Sequence, residues 1–160
     1  MAKRRWKGVQ ASSQQHAIRL CLDYAQQKQN LSVPRVADLI GTTEWAVYKW
    51  LSNGYLPSNK IRPFEHACGC TFVTQYIAAS AHKLVVDIPK GAKVDDASVL
   101  GLQTSFNDAI NLLARFYKDS ADADETISAL TSVMSQIAGH RENVSKTLAP
   151  ELGLFEEAEE

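Results

Sequence analysis

Cysteine is scarce in this chain, with three in 160 residues. An odd number rules out a fully paired disulfide framework and suits a reducing compartment. Cys68 and Cys70 stand near His66, but one intervening residue makes a poor chelating loop. No second Cys/His pair completes a tetrahedral site, so no metal or other cofactor is expected. Long apolar runs are also missing. None approaches the length needed to span a bilayer, and the opening MAKRRWKGVQ lacks the apolar core of a signal peptide. These absences point to the cytoplasm and away from a membrane partner. There is no phosphate-cradling Gly-rich loop and no nucleophile elbow. His16, His66, His82 and His140 are scattered, and Asp122, Asp124 and Glu125 read more simply as an acidic helix start than as an acid–base pair. A non-enzyme is expected.

Net charge is also small, at −1, yet it is unevenly spread. Residues 1–65 carry ten Lys/Arg against four Asp/Glu, and residues 66–160 carry seven against fourteen. A basic N-terminal half suits a polyanion, because neutralising phosphates supplies most of the nonspecific affinity for DNA. The plainer reading is a solvated surface with an acidic tail. Hydrophobic content of 45% and charged content of 22% are those of a globular protein.

What is present is concentrated at residues 33–52, VPRVADLIGTTEWAVYKWLS. Ala37 supplies a small residue where two short helices cross, and Gly41 supplies a turn that tolerates positive φ. Val36, Ile40, Val47 and Trp50 then close a small apolar core. This spacing predicts a helix-turn-helix whose second helix, at about 43–52, presents its other face to a DNA groove.

The flanking segments read as helices. Residues 13–29 repeat apolar positions at Ala17, Leu20, Cys21, Tyr24 and Ala25, with Ser12 or Ser13 as cap and Asn30 as stop. Residues 34–40 follow Ser32, and Thr43 caps the next helix, which Ser52-Asn53-Gly54 ends. Residues 58–68 place Ile61, Phe64, Ala67 and Cys68 on one face. Residues 71–82 do so with Phe72, Tyr76, Ile77 and Ala81. Residues 84–89, LVVDIP, favour a short strand or a connector, and Pro89-Lys90-Gly91 marks a boundary. Beyond it, 96–118 and 125–139 form two amphipathic helices, the second ending at Gly139. A weak third segment is expected at 144–155. The plan is all-α, with a basic flexible arm at 1–11 and a compact domain of about five helices at 12–90. A helical oligomerisation region at 95–140 and a weakly ordered acidic tail at 141–160 complete it.

Two helices and a tail are too little for an independent core. Leu102, Phe106, Ile110, Leu113, Ile127, Leu130, Met134 and Ile137 are the candidate oligomerisation residues, giving a homo-dimer or homo-tetramer. The alternative is that these helices complete one fold with the rest of the chain. Their spacing is not a strict heptad, which favours a helical bundle over a two-stranded coiled coil. On double-stranded DNA, the candidate contacts are Thr42, Thr43, Glu44, Trp45, Tyr48 and Lys49. Arg35, Asn53 and Lys60 are candidates for the backbone, and Lys3, Arg4 and Arg5 for an arm that tracks phosphates. Core packing competes for Trp45, and a helix N-terminal charge competes for Glu44.

The run VPRVADLIGTTEWAVYKWLSNGYLP, with IRPFEHACG and TFVTQYIAASA, resembles the DNA-binding domain of lambda-repressor-like phage regulators. PFEHACG is similar to the fourth-helix region of that superfamily, where an acidic residue and a small-Gly pair precede the last helix. The overall plan resembles temperate-phage regulators of the CII type. The likeness covers about residues 12–88. It implies a sequence-specific transcription regulator, nucleoid-associated in a bacterial host and acting as a dimer or tetramer. GYLP is also similar to excisionase and MerR-like winged proteins, but FEHACG carries helix signals where those proteins have a β-wing. An excisionase-like or antitoxin-like architectural or interaction protein is the alternative.

Overall fold

A computed structural model of the chain describes Trp6 and residues 8–89 and 96–148. Among the described residues there are seven helices and no strand: α1 (Gln14–Gln29), α2 (Val33–Leu39), α3 (Glu44–Asn53), α4 (Ser58–Cys68), α5 (Phe72–Ser80), α6 (Asp96–Phe116) and α7 (Ala123–Leu148). They fall into two compact units that divide between Val85 and Val86.

In the first unit, local chemistry sets the helix ends. The Ser13 hydroxyl accepts from the His16 N–H at 3.0 Å and caps α1. Asn30, at φ 56°, closes α1 as its N–H donates to Gln26 and that of Leu31 donates to Ala25. Pro34 lies in the first turn of α2, where its missing N–H costs nothing. α2 starts at Val33 and ends at Leu39, one residue earlier at each end than the sequence reading. Gly41 turns the chain at φ +61°. The Thr43 hydroxyl accepts from Ala46 N–H at 3.2 Å and starts α3. Gly54, also at positive φ, ends α3.

These helices enclose one core. Ala17, Ile18, Leu20, Cys21 and Ala25 of α1 meet Val36 and Ala37 of α2, Val47 and Trp50 of α3, Phe64 and Cys68 of α4, and Phe72 and Val73 of α5. Trp50 packs edge-on against Phe64 with ring centroids 6.5 Å apart. Burying such side chains stabilises by about 1.5–3 kcal/mol each.

Three expectations change. The N-terminal arm is not free at Trp6, Val9 and Ala11, which pack on the core. Trp6 stacks against Tyr24 and Phe72, because an indole so close to apolar helices loses more by staying in water than by docking. On α5, Ile77 and Ala81 are exposed, and Val73 takes the buried place. Nine residues give α5 only a short inner face, so its C-terminal turn leaves the core. Residues 84–89 take the connector alternative and form no strand, for want of a second strand among the described residues to pair with.

The third change lies in the second unit, a hairpin of α6 and α7. The Asp122 carboxylate accepts from Glu125 N–H at 3.1 Å and starts α7. Gly139 does not end α7. The helix runs on to Leu148 and absorbs the start of the expected third segment; the rest of that segment, 149–155, lies outside the described residues. Gly139 is a packing glycine, since a Cβ there would meet the Pro89 ring at 3.3 Å. No helix among the described residues is long and apolar enough to cross a membrane.

Candidate functional site

The inner and outer faces of α3 differ sharply. Val47 and Trp50 are buried, whereas Thr43, Glu44, Trp45, Tyr48, Lys49 and Asn53 are exposed. Trp45 is 70% exposed, so it does not serve the core. Its ring carries the Lys49 ammonium 5.1 Å from the centroid, one helical turn away. That contact is worth about 0.5–1 kcal/mol at an exposed site and limits the freedom of both side chains. Thr42 is half-buried and Thr43 spends its hydroxyl on the cap. Glu44 stands in the first turn, where the helix dipole favours a carboxylate.

Hydrogen bonds anchor this face to its neighbours. The Gln15 amide donates to the Ser52 carbonyl at 3.1 Å, tying the start of α1 to the end of α3. Ser52 donates to the Asn53 side chain at 2.7 Å. The Lys60 ammonium donates to the Ile40 carbonyl at 3.1 Å. Lys60 is therefore a half-buried brace between α4 and the end of α2, and its charge satisfies a carbonyl that the short helix leaves open. Arg35 is exposed on the first turn of α2. Lys3, Arg4 and Arg5 lie outside the described residues.

The α3 face thus brings together Glu44, Trp45, Tyr48, Lys49 and Asn53, and removes Lys60. Tyr55, which the sequence reading did not single out, is also exposed, in the connector directly after Gly54. A lone aromatic in a turn, too isolated to join any periodic stripe, was the available signal.

A second cluster explains the cysteines. Glu65 is only 2% exposed. Its carboxylate accepts from the Thr74 backbone N–H at 2.8 Å and from the Thr74 hydroxyl. Thr71 makes no side-chain cap on α5, so Glu65 supplies the missing acceptor from α4. Hydrogen bonding to Cys70, then burial and the nearby Cys68 and Glu65, push the Cys21 thiol far up. Burial first, then Cys70 and Glu65, pushes Cys68 up as well. Both stay protonated and unreactive at neutral pH. Among the described residues no group of three or more His, Cys, Asp or Glu is placed to hold a metal ion.

In the second unit the oligomerisation candidates divide. Phe106, Ile110, Ile127 and Ile137 are exposed, and Leu102, Leu113, Leu130 and Met134 are half-buried. Comparison with known proteins adds no identity: no family model, no curated protein and no solved structure matches the chain.

Proposed function

We propose that the chain is a sequence-specific, double-stranded DNA-binding transcription regulator of phage or prophage type. In this reading it works as a homo-oligomer in the cytoplasm of a bacterial host. The carrying observation is the division of α3, with Val47 and Trp50 buried and Trp45, Tyr48, Lys49 and Asn53 exposed together. On this reading α2 and α3 are a helix-turn-helix and α3 is the recognition helix, lying in the half of the chain that carries the excess of cations. Tyr48 and Lys49 then contact bases or phosphates, Arg35 contacts phosphate, and Trp45 packs on a thymine methyl or a sugar. The likeness of residues 12–88 to lambda-repressor-like regulators supports the same reading.

Selection from a random duplex pool tests it, and a recurring, two-fold related sequence is expected. Tyr48→Ala combined with Lys49→Ala should weaken binding to that sequence by about 10–100-fold, the scale of one or two specific contacts. Helix content should not change. A pool with no enriched sequence would sink the proposal.

One observation favours a second reading. The exposed face of α3 holds two aromatics, one cation and one carboxylate, a composition that also suits an excisionase-like or antitoxin-like interaction platform. Binding to DNA falls steeply with salt as counterions are released. An interaction through this face that is indifferent to salt would favour the platform.

A further inference from the structure

We infer that one side of the α6–α7 hairpin is the docking surface for a second copy of this chain, the two hairpins closing a four-helix bundle. The inference deepens the oligomeric part of the proposal above and rests on it for its biological use.

The hairpin seam is built from small side chains. Ala109 on α6 and Thr126 and Val133 on α7 are buried, and Gln136 donates to Ser105 across the pair at 3.3 Å. The large apolar residues lie elsewhere. On α7 they fall at Ile127, Leu130, Met134, Ile137, Val144 and Leu148, an alternation of three and four broken only by Arg141. On α6 Val99, Leu102, Phe106, Ile110 and Leu113 form the matching stripe, with Leu100, Leu112 and Phe116 outside it. At 3.6 residues per turn, each stripe lies about a quarter turn round its helix from the seam. The offset has the same sense on both helices. Because the helices run antiparallel, equal offsets put both stripes on one side of the hairpin, as a single face. Two contact faces about a quarter turn apart are what each helix of a four-helix bundle presents to its two neighbours.

The size and chemistry of the face select the occupant. Val99, Phe106, Ile110, Ile127, Ile137, Val144 and Leu148 are each between 45% and 85% exposed. Six of the seven are aliphatic, so taking about 150 Å² each, the low end of the aromatic range, they offer on the order of 600 Å². That is at the top of the range for the largest patch of a monomer, and with the half-buried Leu102, Leu113, Leu130 and Met134 it approaches one partner's share of a standard interface. The face runs along both helices, of 21 and 26 residues, so a short peptide would leave much of it in water. A second hairpin has the same length and the same apolar surface, and a two-fold axis pairs the face with itself. Arg141 is the charged position in the α7 register and disfavours any offset that would bury it.

Light scattering on the full chain, over a range of concentrations, tests this. Twice the chain mass, or an even multiple of it, is expected. Ile127→Glu with Ile137→Glu should shift the dissociation constant by at least about 100-fold towards monomer while circular dichroism keeps its helical signal. Ser132→Glu, exposed on the far side of α7, should leave the mass unchanged. If the glutamates reduce helix content, serine at both positions gives the same reading with less perturbation. A monomeric wild-type chain, an odd multiple, or an unchanged mass in the double variant overturns the inference. A dimer that selects no duplex sequence defeats the DNA reading alone; a monomer that selects one defeats this inference and the oligomeric part of the proposal, and leaves the DNA reading standing.

Discussion

Glu65 is the residue whose role is most costly to disturb. A carboxylate in an apolar core is unfavourable unless its oxygens are bonded, and both Thr74 donors meet it. One of those donors is a backbone N–H in the first turn of α5, which no side chain of Thr71 reaches. Glu65→Ala strands both donors, and urea unfolding should show a loss of about 2–4 kcal/mol. Glu65→Gln keeps an acceptor and should lose about half as much. Equal losses would mean that neither the volume nor the single acceptor kept by glutamine contributes, and that the site requires both carboxylate oxygens. Lys60 makes the same point about long polar side chains. Its spacing after α3 suggests a phosphate contact, but its ammonium is committed to the Ile40 carbonyl. Only the fold brings residue 60 to residue 40.

At the scale of elements, caps start helices whatever their length, from the ten residues of α3 to the 26 of α7. Ser13, Thr43 and Asp122 each cap the helix that follows, and all three were legible as cap residues because cap chemistry is local. Gly139 was misread for the same reason. A glycine after a periodic run signals a stop, but here it makes room for Pro89. Gly101 has no such partner: a Cβ there meets nothing within 4 Å, and the residue sits inside α6. Gly101→Ala should therefore stabilise the hairpin by about 0.5–1 kcal/mol through helix propensity. A thermal melt showing no gain would place a hidden contact at that position.

At the scale of the whole molecule, the chain is two units with different kinds of core. The first closes Ala17, Val36, Val47, Phe64 and Val73 into one cluster drawn from five helices. The second fully buries Ala109, Thr126 and Val133, and covers its large apolar residues only in part or not at all. A chain ending at Val85 should therefore keep a cooperative thermal transition, read by circular dichroism. A broad, non-cooperative melt would show that the first core depends on residues beyond the division. The hairpin should instead melt at a temperature that rises with protein concentration, because association stabilises only the folded form.

The sequence by itself determined the helical class, the core faces of α2 and α3, part of those of α1 and α4, where Ile18, Leu22 and Glu65 were missed, and the turn at Gly41. Periodicity and cap chemistry act within a few residues and need no partner to be read. The amphipathic stripes of α6 and α7 were also visible, since side chains three and four apart share a face. The tertiary structure decided what depends on distant segments. It turned Trp45 outward with Lys49 across its ring, committed Lys60 to Ile40, and buried Glu65 under Thr74. It also docked Trp6 on Tyr24 and Phe72, carried α7 past Gly139, and gave the hairpin seam to small residues. Each of these is a contact between positions far apart in the chain or a choice between two faces of one helix. A local pattern leaves such choices open, and packing closes them.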